Sequence, residues 1–335
     1  MVYALMIIYR KFFPAISLFL LACSPAWSIQ AAQYQQLDGL FKQVISKSSY
    51  TEDDLKKLFE QVEIQPRIIE IMDRPAESMP WHRYRKIFLN EKNISSGAKF
   101  WKAHADILAR AEDKFGVPPE IIVATLGVET RYGTHTGNYR VIDALSTLAL
   151  EYPRRSKFFS RELVNFLILT DEQGLQPLAV TGSYAGAIGL PQYMPSSYRA
   201  YAIDFSNDGS SDLVNSIEDA IGSIASYYRE HGWNTGQPIS HPATSVSEKA
   251  SKLVVKKRKT DRSLGELLEQ GVTLDTEADQ SSRVGLIKLS GEQSPEYHVA
   301  FDNFFVITRY NTSRLYAMAV QLLGEQIKSR VLETP

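Results

Sequence analysis

The sequence predicts an α+β fold that is predominantly α-helical, with a small β-containing module late in the chain. Apolar residues recur at helical spacing along most of the chain, and Pro and Gly punctuate those runs. Only between about Asn234 and Asn303 does the texture change, to turn residues and short β-rich runs. The 335 residues are 44% hydrophobic and 22% charged, enough for a sizeable core and about two domains.

At the N-terminus Arg10 and Lys11 precede an apolar run over 12–22, followed by Cys23. A short basic region with about 7–15 apolar residues is a secretory signal, too short to span a membrane as a helix. It offers two exits within residues 1–28. Leu20-Leu21-Ala22-Cys23 resembles a bacterial lipobox, which would end the signal at 22 and lipidate Cys23. Ala26-Trp27-Ser28 fits a small-x-small peptidase site that would release a soluble protein. Either exit places the mature protein outside the cytoplasm.

A helical region then covers 33–100, with short amphipathic helices expected over 51–72. A longer helix is expected over 97–114, stopped by Gly116. Pro118-Pro119 restarts the chain, with Pro119 suited to a first helical turn. Helical spacing continues over 141–150, 156–170, 195–203 and 216–231, where Gly232 ends it, so 101–232 reads as a core region. The module at 233–303 carries β-rich runs at 284–289 and 297–301 and a basic run at 252–259. That run is read either as a solvated face or as a contact for an anionic polymer. Residues 304–335 form a C-terminal helical segment, its spacing clearest from 313.

Composition excludes several functions. Lys+Arg 37 against Asp+Glu 38 leaves a net charge of −1, with no basic field to attract nucleic acid. One cysteine rules out intramolecular disulfides and cysteine-rich zinc sites. The six histidines form no HExxH pair, and neither a P-loop nor a GxGxxG is present.

The segment around Glu129 carries the chemistry. Ile122, Leu126 and Glu129 fall on one helical face, so the carboxyl is expected among apolar neighbours that favour its protonated form, as a general acid requires. Gly127 and Gly133 are expected to leave room for something to approach. An equally available reading pairs Glu129 with Arg131 or Arg140 as a structural ion pair.

Five segments decide between these readings: PPEIIVATLGVETRYG, VIDALSTLALEYPRR, GSYAGAIGLPQYMPSSYRAYAIDF, DAIGSIASYYREHGW and VITRYNTSRLYAMAV. Together, and in this order, they resemble the membrane-bound lytic murein transglycosylase B family from about Trp81 to Leu323. The resemblance implies a lysozyme-like catalytic core and non-hydrolytic cleavage of the β-1,4 bond between N-acetylmuramic acid and N-acetylglucosamine in peptidoglycan. The products carry 1,6-anhydromuramoyl ends, and no catalytic cofactor takes part. It assigns the single catalytic acid to Glu129, with the substrate's C6 hydroxyl as nucleophile in place of a second carboxylate or a water. It further implies substrate contacts from Ser183 and Gln192, closure over the sugar by Tyr310 and Asn311, and groove positions for Tyr84, Arg154 and Arg155. Gly182, Gly186 and Gly189 would admit sugar to the backbone. Implied partners are glycan strands, an outer-membrane lipid anchor and other cell-wall enzymes, on the periplasmic side of the outer membrane or free in the periplasm. A lysozyme- or chitinase-like hydrolase and a catalytically silent peptidoglycan-binding scaffold are the competing readings.

Asp204, Ser206, Asp208, Gly209 and Ser210 reproduce the start of an EF-hand loop, but Asn215 stands where the twelfth position needs a bidentate Glu. Glu218 or Asp219 could close the loop on a structural calcium ion, Asp219 by its place at the start of the DAIGS segment. The alternative is an Asx-rich turn whose Asp212 or Ser216 caps the next helix.

Overall fold

The computed structural model describes residues 27–28, 31–73 and 79–333, and Cys23 with most of the signal segment lies outside them. Strand β1 (Trp27–Ser28) is followed by helices α1 (Ala31–Ile45) and α2 (Glu52–Phe59), then β2 (Glu63–Ile64) and α3 (Pro66–Met72). Helices α4 (Trp81–Phe88), α5 (Glu91–Ala103), α6 (Ala105–Phe115) and α7 (Pro119–Thr130) lead to β3 (Tyr139–Arg140), α8 (Val141–Glu151) and α9 (Ser156–Glu172). Then come β4 (Thr181–Gly182), α10 (Pro195–Tyr201) and α11 (Ile217–Glu230). The late segment holds β5 (Ser240–Pro242), β6 (Ser245–Val246), α12 (Glu248–Ser251), β7 (Arg262–Ser263), α13 (Leu264–Glu269), β8 (Val272–Thr273), β9 (Arg283–Leu289) and β10 (Glu296–Ala300). Helices α14 (Asp302–Tyr310) and α15 (Arg314–Glu333) close the described chain.

Local capping sets several boundaries, those at Gly116, Pro119 and Ser216 as the sequence indicates and that at Thr51 in addition to them. Thr51 and Asp54 form a reciprocal capping box on α2. Gly116 ends α6 at φ 70, and Pro119 occupies the first turn of α7. Ser216 caps α11 by accepting the Asp219 N–H at 3.1 Å.

One expectation needs correction. The helix expected over 97–114 is two helices that break at His104, whose N–H is shared between the Phe100 and Trp101 carbonyls. No Pro or Gly marks that break. It is tertiary, because α5 packs on α7 and α15 while α6 turns to pack on α11. In the C-terminal segment helical structure begins at Asp302, earlier than the spacing that becomes clear only from 313. The run Phe304-Phe305-Val306-Ile307-Thr308 has strand-like composition, but every one of these residues is buried, and all-round burial overrides β-propensity.

Helix α7 lies at the centre of the body, with α5, α6, α11 and α15 packed around it. Nine of its twelve residues are buried, so it is apolar all round rather than on the single face the spacing suggested. The four-stranded sheet of the late segment has the order β5-β10-β9-β7 and is antiparallel, with Val299 opposite both Leu286 and His241. Its faces go to different cores because successive side chains alternate. Val284 and Leu286 join Leu264, Leu267, Val272, Val299 and Phe301 in a small cluster, while Ile287 and Leu289 join the main helical core. The sheet is thereby held against α14 and the helical body.

Candidate active site

Glu129 is the next-to-last residue of α7 and is half-buried. The helix does not continue past it. Arg131 and Tyr132 both adopt left-handed backbone, φ 49 and 59, and Gly133 follows at φ 86. Left-handed non-glycine residues cost about 1–2 kcal/mol each. What holds them is a set of contacts around the helix end. The Tyr132 N–H reaches back to the Leu126 carbonyl at 3.1 Å, and the Gly133 N–H donates to Thr130 Oγ1 at 3.0 Å. The Tyr132 hydroxyl donates to the Asn93 carbonyl at 2.8 Å. Its ring fills a slot between α5 and α7 that only glycines can leave. A Cβ at Gly97 or Gly127 would sit 2.6 or 2.7 Å from the Tyr132 hydroxyl. Gly127 therefore receives a protein side chain, not a ligand.

The 183–192 loop is fastened to this helix end. Buried Thr130 donates to the Leu190 carbonyl at 3.0 Å. Ser183 Oγ accepts the N–H groups of Ala185 and Ala187, which leaves the hydroxyl its own proton to donate. Gln192, at φ 51, donates its amide to the Thr136 and Gly189 carbonyls, which leaves Oε1 as the acceptor. The loop glycines serve protein packing rather than sugar approach. A Cβ at Gly182 would meet the Ala187 carbonyl oxygen at 2.2 Å, at Gly186 the Leu145 side chain at 2.4 Å, and at Gly189 the Leu213 carbonyl oxygen at 2.3 Å. Of the four non-glycine residues with positive φ among the described residues, three are Arg131, Tyr132 and Gln192. Backbone strain thus collects at this site, as it does at functional sites in general.

From the other end of the chain, Tyr316 on α15 donates its hydroxyl to Glu129 Oε1 at 2.6 Å. Tyr310 stacks on Tyr316 with ring centroids 6.2 Å apart and planes 11° apart, and donates to the Pro191 carbonyl at 2.6 Å. Tyr193 and Tyr228 tilt against Tyr310, and Tyr227 meets it edge-on. The Tyr228 hydroxyl bonds Thr125, one turn before Glu129 on α7. Burial first, and then the Glu129 charge, pushes the Tyr316 phenol well above its ordinary range; burial acts the same way on Tyr193, Tyr228 and Tyr310. These hydroxyls stay protonated and act as neutral dipoles. Tyr316 lies inside one of the five sequence segments, but nothing local marks it as the partner of Glu129.

The remaining sequence candidates divide. Asn311 follows α14, and its Oδ1 accepts the Ser313 N–H at 3.0 Å, shaping the turn between Tyr310 and Tyr316. Tyr84 is only 2% exposed, packed between Trp81 and Phe88, so it offers no face for stacking on a sugar. Arg154 pairs with Asp73. Arg155 lies over Phe158 and Phe159 at 4.4 and 5.1 Å. Both guanidiniums are exposed at the α8–α9 junction, with their planes partly engaged by protein.

In the 204–219 loop, carboxylate oxygens of Asp204, Asp208 and Asp219 lie within 4.8 Å of one another. Asp219 is fully buried. Its Oδ1 accepts the N–H groups of Phe205 and Ser206, and Oδ2 accepts that of Asp212. Asp204 accepts the Asp208 and Gly209 N–H groups and the Ser206 hydroxyl, and Asp208 accepts the Ser210 N–H. Burial raises the Asp204 pKa, but those hydrogen bonds outweigh it and hold the carboxyl below its ordinary value. The loop is a turn built on carboxylates that keep lone pairs over, so the donor set suits a hard cation.

The profile of the transglycosylase SLT domain matches residues 32–325. Membrane-bound lytic murein transglycosylase B of Escherichia coli (strain K12) is 38% identical over 294 residues, covering 85% of this chain and 80% of its own. The crystal structure of soluble lytic transglycosylase SltB1 from Pseudomonas aeruginosa is 45% identical, with a TM-score of 0.82, covering 88% of this chain and 99% of its own. The Escherichia coli lytic transglycosylase Slt35 in complex with calcium is 36% identical, with a TM-score of 0.83, covering 92% of this chain and 97% of its own. The matched span of 32–325 contains the Glu129 helix, the 183–192 loop and the 310–316 segment, and the chain belongs to the transglycosylase SLT domain family.

Proposed function

We propose that this chain is a lytic transglycosylase that cleaves the β-1,4 bond between N-acetylmuramic acid and N-acetylglucosamine of peptidoglycan, leaving 1,6-anhydromuramoyl ends. The observation that carries this reading is the setting of one carboxyl. Glu129 ends a buried helix between the 183–192 loop and the 310–316 segment, with the Tyr316 hydroxyl on it. One carboxyl is enough for this chemistry. Protonated, Glu129 gives its proton to the departing glycosidic oxygen. As a carboxylate it then takes the proton of the C6 hydroxyl, which attacks C1. The tethered hydroxyl outcompetes water through its large effective concentration. Tyr316 stabilises the carboxylate stage by a charge-assisted hydrogen bond.

Ser183 as donor and Gln192 Oε1 as acceptor suit the N-acetyl group and the C6 region, and Tyr310 with Asn311 covers the sugar whose bond is cut. Arg154 and Arg155 reach out at the rim, where carboxylates of the substrate can meet them. Tyr84 supports the site from within the core. In the 204–219 loop Asp204, Asp208 and the free lone pair of Asp219, with the Ser206 and Ser210 hydroxyls, would hold a calcium ion, whose part is to stiffen the loop. The chain works outside the cytoplasm on glycan strands, held at the outer membrane through Cys23 or free in the periplasm. Of its relatives one is named membrane-bound and another soluble, and no helix among the described residues is long and apolar enough to cross a membrane.

The test is the mass of products released from purified sacculi. Anhydro ends are lighter than hydrolytic ends by one water. Glu129→Gln keeps the shape of the side chain and loses its exchangeable proton, so cleavage should fall by ~10²–10⁴-fold or more while strands still bind. Mainly reducing muramic ends would turn the reading to a hydrolase, and a Glu129→Gln protein of ordinary activity would end it.

A further inference from the structure

The basic run of the late segment takes no part in the site described, yet the fold pins it beside that site. Val254 bridges Leu286 of β9, and the Val255 N–H donates to the Leu286 carbonyl at 2.9 Å. Val255 is 3% exposed, and Gly285 leaves room for it, since a Cβ there would lie 2.8 Å from its side chain. At the other end the Asp261 N–H donates to the Val284 carbonyl at 3.1 Å, and Thr260 donates to Asp302 Oδ1 at 2.8 Å, in the first turn of α14. Between these anchors Lys256, Lys257, Arg258 and Lys259 are all exposed. Lys252 pairs with Glu248 and Arg262 with Asp261. Among the described residues no acidic group pairs with the four cations between them. A hollow of about 300 Å³ is lined by Lys256, Lys257, Lys259, Leu253 and Arg262, among others.

The loop is tied to the catalytic end of α15. Arg314, the first residue of that helix, donates to the Val255 carbonyl at 2.6 Å. Burial, and then the charge of Arg258, works against the Arg314 cation. Arg314 is two residues from Tyr316, whose hydroxyl meets Glu129, and three from Asn311. A cationic knuckle of four unpaired charges therefore stands at the edge of the 310–316 segment. Like charges held together repel, and an anion between them relieves the repulsion.

We infer that the 256–259 loop, with Arg314 behind it, is a binding subsite for the carboxylate-bearing peptide stems of the glycan strand. The inference rests on the peptidoglycan reading above. The sugars of the strand offer this loop no fixed charge where the peptide is joined, whereas the stems carry several carboxylates that cations recognise. A lipid surface fits less well. Among the described residues the large exposed hydrophobics are Ile45, Val214 and Leu332, and none of them belongs to the late segment that carries the loop, so the loop has no apolar anchor of its own for a bilayer.

The experiment compares the full chain with a variant carrying Lys256→Gln, Lys257→Gln, Arg258→Gln and Lys259→Gln. Each acts on strands with intact stems and on the same strands freed of stems by an amidase. With stems, KM should rise roughly three- to tenfold in the variant at unchanged kcat, as for several exposed ion pairs lost together. The wild-type KM should climb with salt and the variant's should not. Without stems the two proteins should coincide. Equal KM values on stem-bearing strands would overturn the inference, as would an equal loss on both substrates. Loss of binding to phosphatidylglycerol-containing vesicles, with KM untouched, would assign the loop to a lipid surface and overturn it as well. A wild type that leaves no anhydro ends on either substrate would instead sink the functional reading itself.

Discussion

The hydroxyl of Tyr316 lies 2.6 Å from Oε1 of Glu129, across 187 residues of sequence. The contact joins α7, which carries the acid, to α15, the last helix of the described residues. Tyr316 is 2% exposed and its phenol is held neutral, so it has one role open to it, donation to the carboxyl.

Tyr316→Phe removes that donor and keeps the ring that stacks on Tyr310. A hydrogen bond to a charged group is worth about 1.5–3 kcal/mol. The expected loss in kcat is therefore roughly 10–100-fold, with melting temperature little changed. Because the lost bond favoured the carboxylate, the alkaline limb of the pH–rate profile should move to higher pH. Steady-state kinetics on soluble glycan strands across pH checks both. An unchanged profile would remove Tyr316 from the site.

Gly127→Ala should destabilise the fold although alanine is the better helix former by about 1 kcal/mol. Its Cβ would press on the Tyr132 hydroxyl and ring at 2.7–2.8 Å, and overpacking of this kind costs about 1–3 kcal/mol. Gly39→Ala is the control, since a Cβ on α1 there meets nothing within 4 Å and should stabilise by about 0.5–1 kcal/mol. Thermal melts should move in opposite directions. Activity should also fall in Gly127→Ala, because the displaced Tyr132 sets the left-handed turn after Glu129.

In the 204–219 loop, Asp208 and Asp219 should separate cleanly. Asp219 is buried and accepts three backbone N–H groups, so Asp219→Ala should lower stability by about 3 kcal/mol or more whether or not calcium is added. Asp208 is exposed, so Asp208→Ala should leave the calcium-free melt nearly unchanged and abolish any calcium-induced rise. Melts in chelator and in excess calcium decide this. A wild-type melt indifferent to calcium would leave the loop as a plain turn.

His298 supplies a pH dependence of stability. Its ring is 9% exposed on β10, and Nδ1 is buried with no hydrogen-bond partner. Burial chiefly, with Arg85 adding and Glu296 opposing, holds its pKa below the ordinary 6.5. The folded state prefers the neutral ring. That stability is fully present above pH 6.5 and is lost as the pH falls toward the lower folded value. Melting temperature should decline between about pH 7 and 5 in the wild type and less steeply in His298→Gln. Parallel slopes would show that other groups govern the decline.

Local sequence determined the elements and the acid. Pro119 at a helix start, Gly116 at a helix end and the β-rich run over 284–289 act within a few residues, so local sequence alone reveals them. The position of Glu129 at the end of an apolar helix was legible for the same reason, and five ordered segments made its chemistry legible with it. What the chain's glycines and tyrosines face was not. Gly127 receives Tyr132, Gly189 the Leu213 carbonyl and Tyr84 the rings of Trp81 and Phe88. The break at His104 exists because two halves of one helical run pack on different partners. The choice of Tyr316 for Glu129 depends on where α15 lies against α7. Propensity and periodicity act over one or two turns, whereas which side chains meet across the core is decided only when the helices pack.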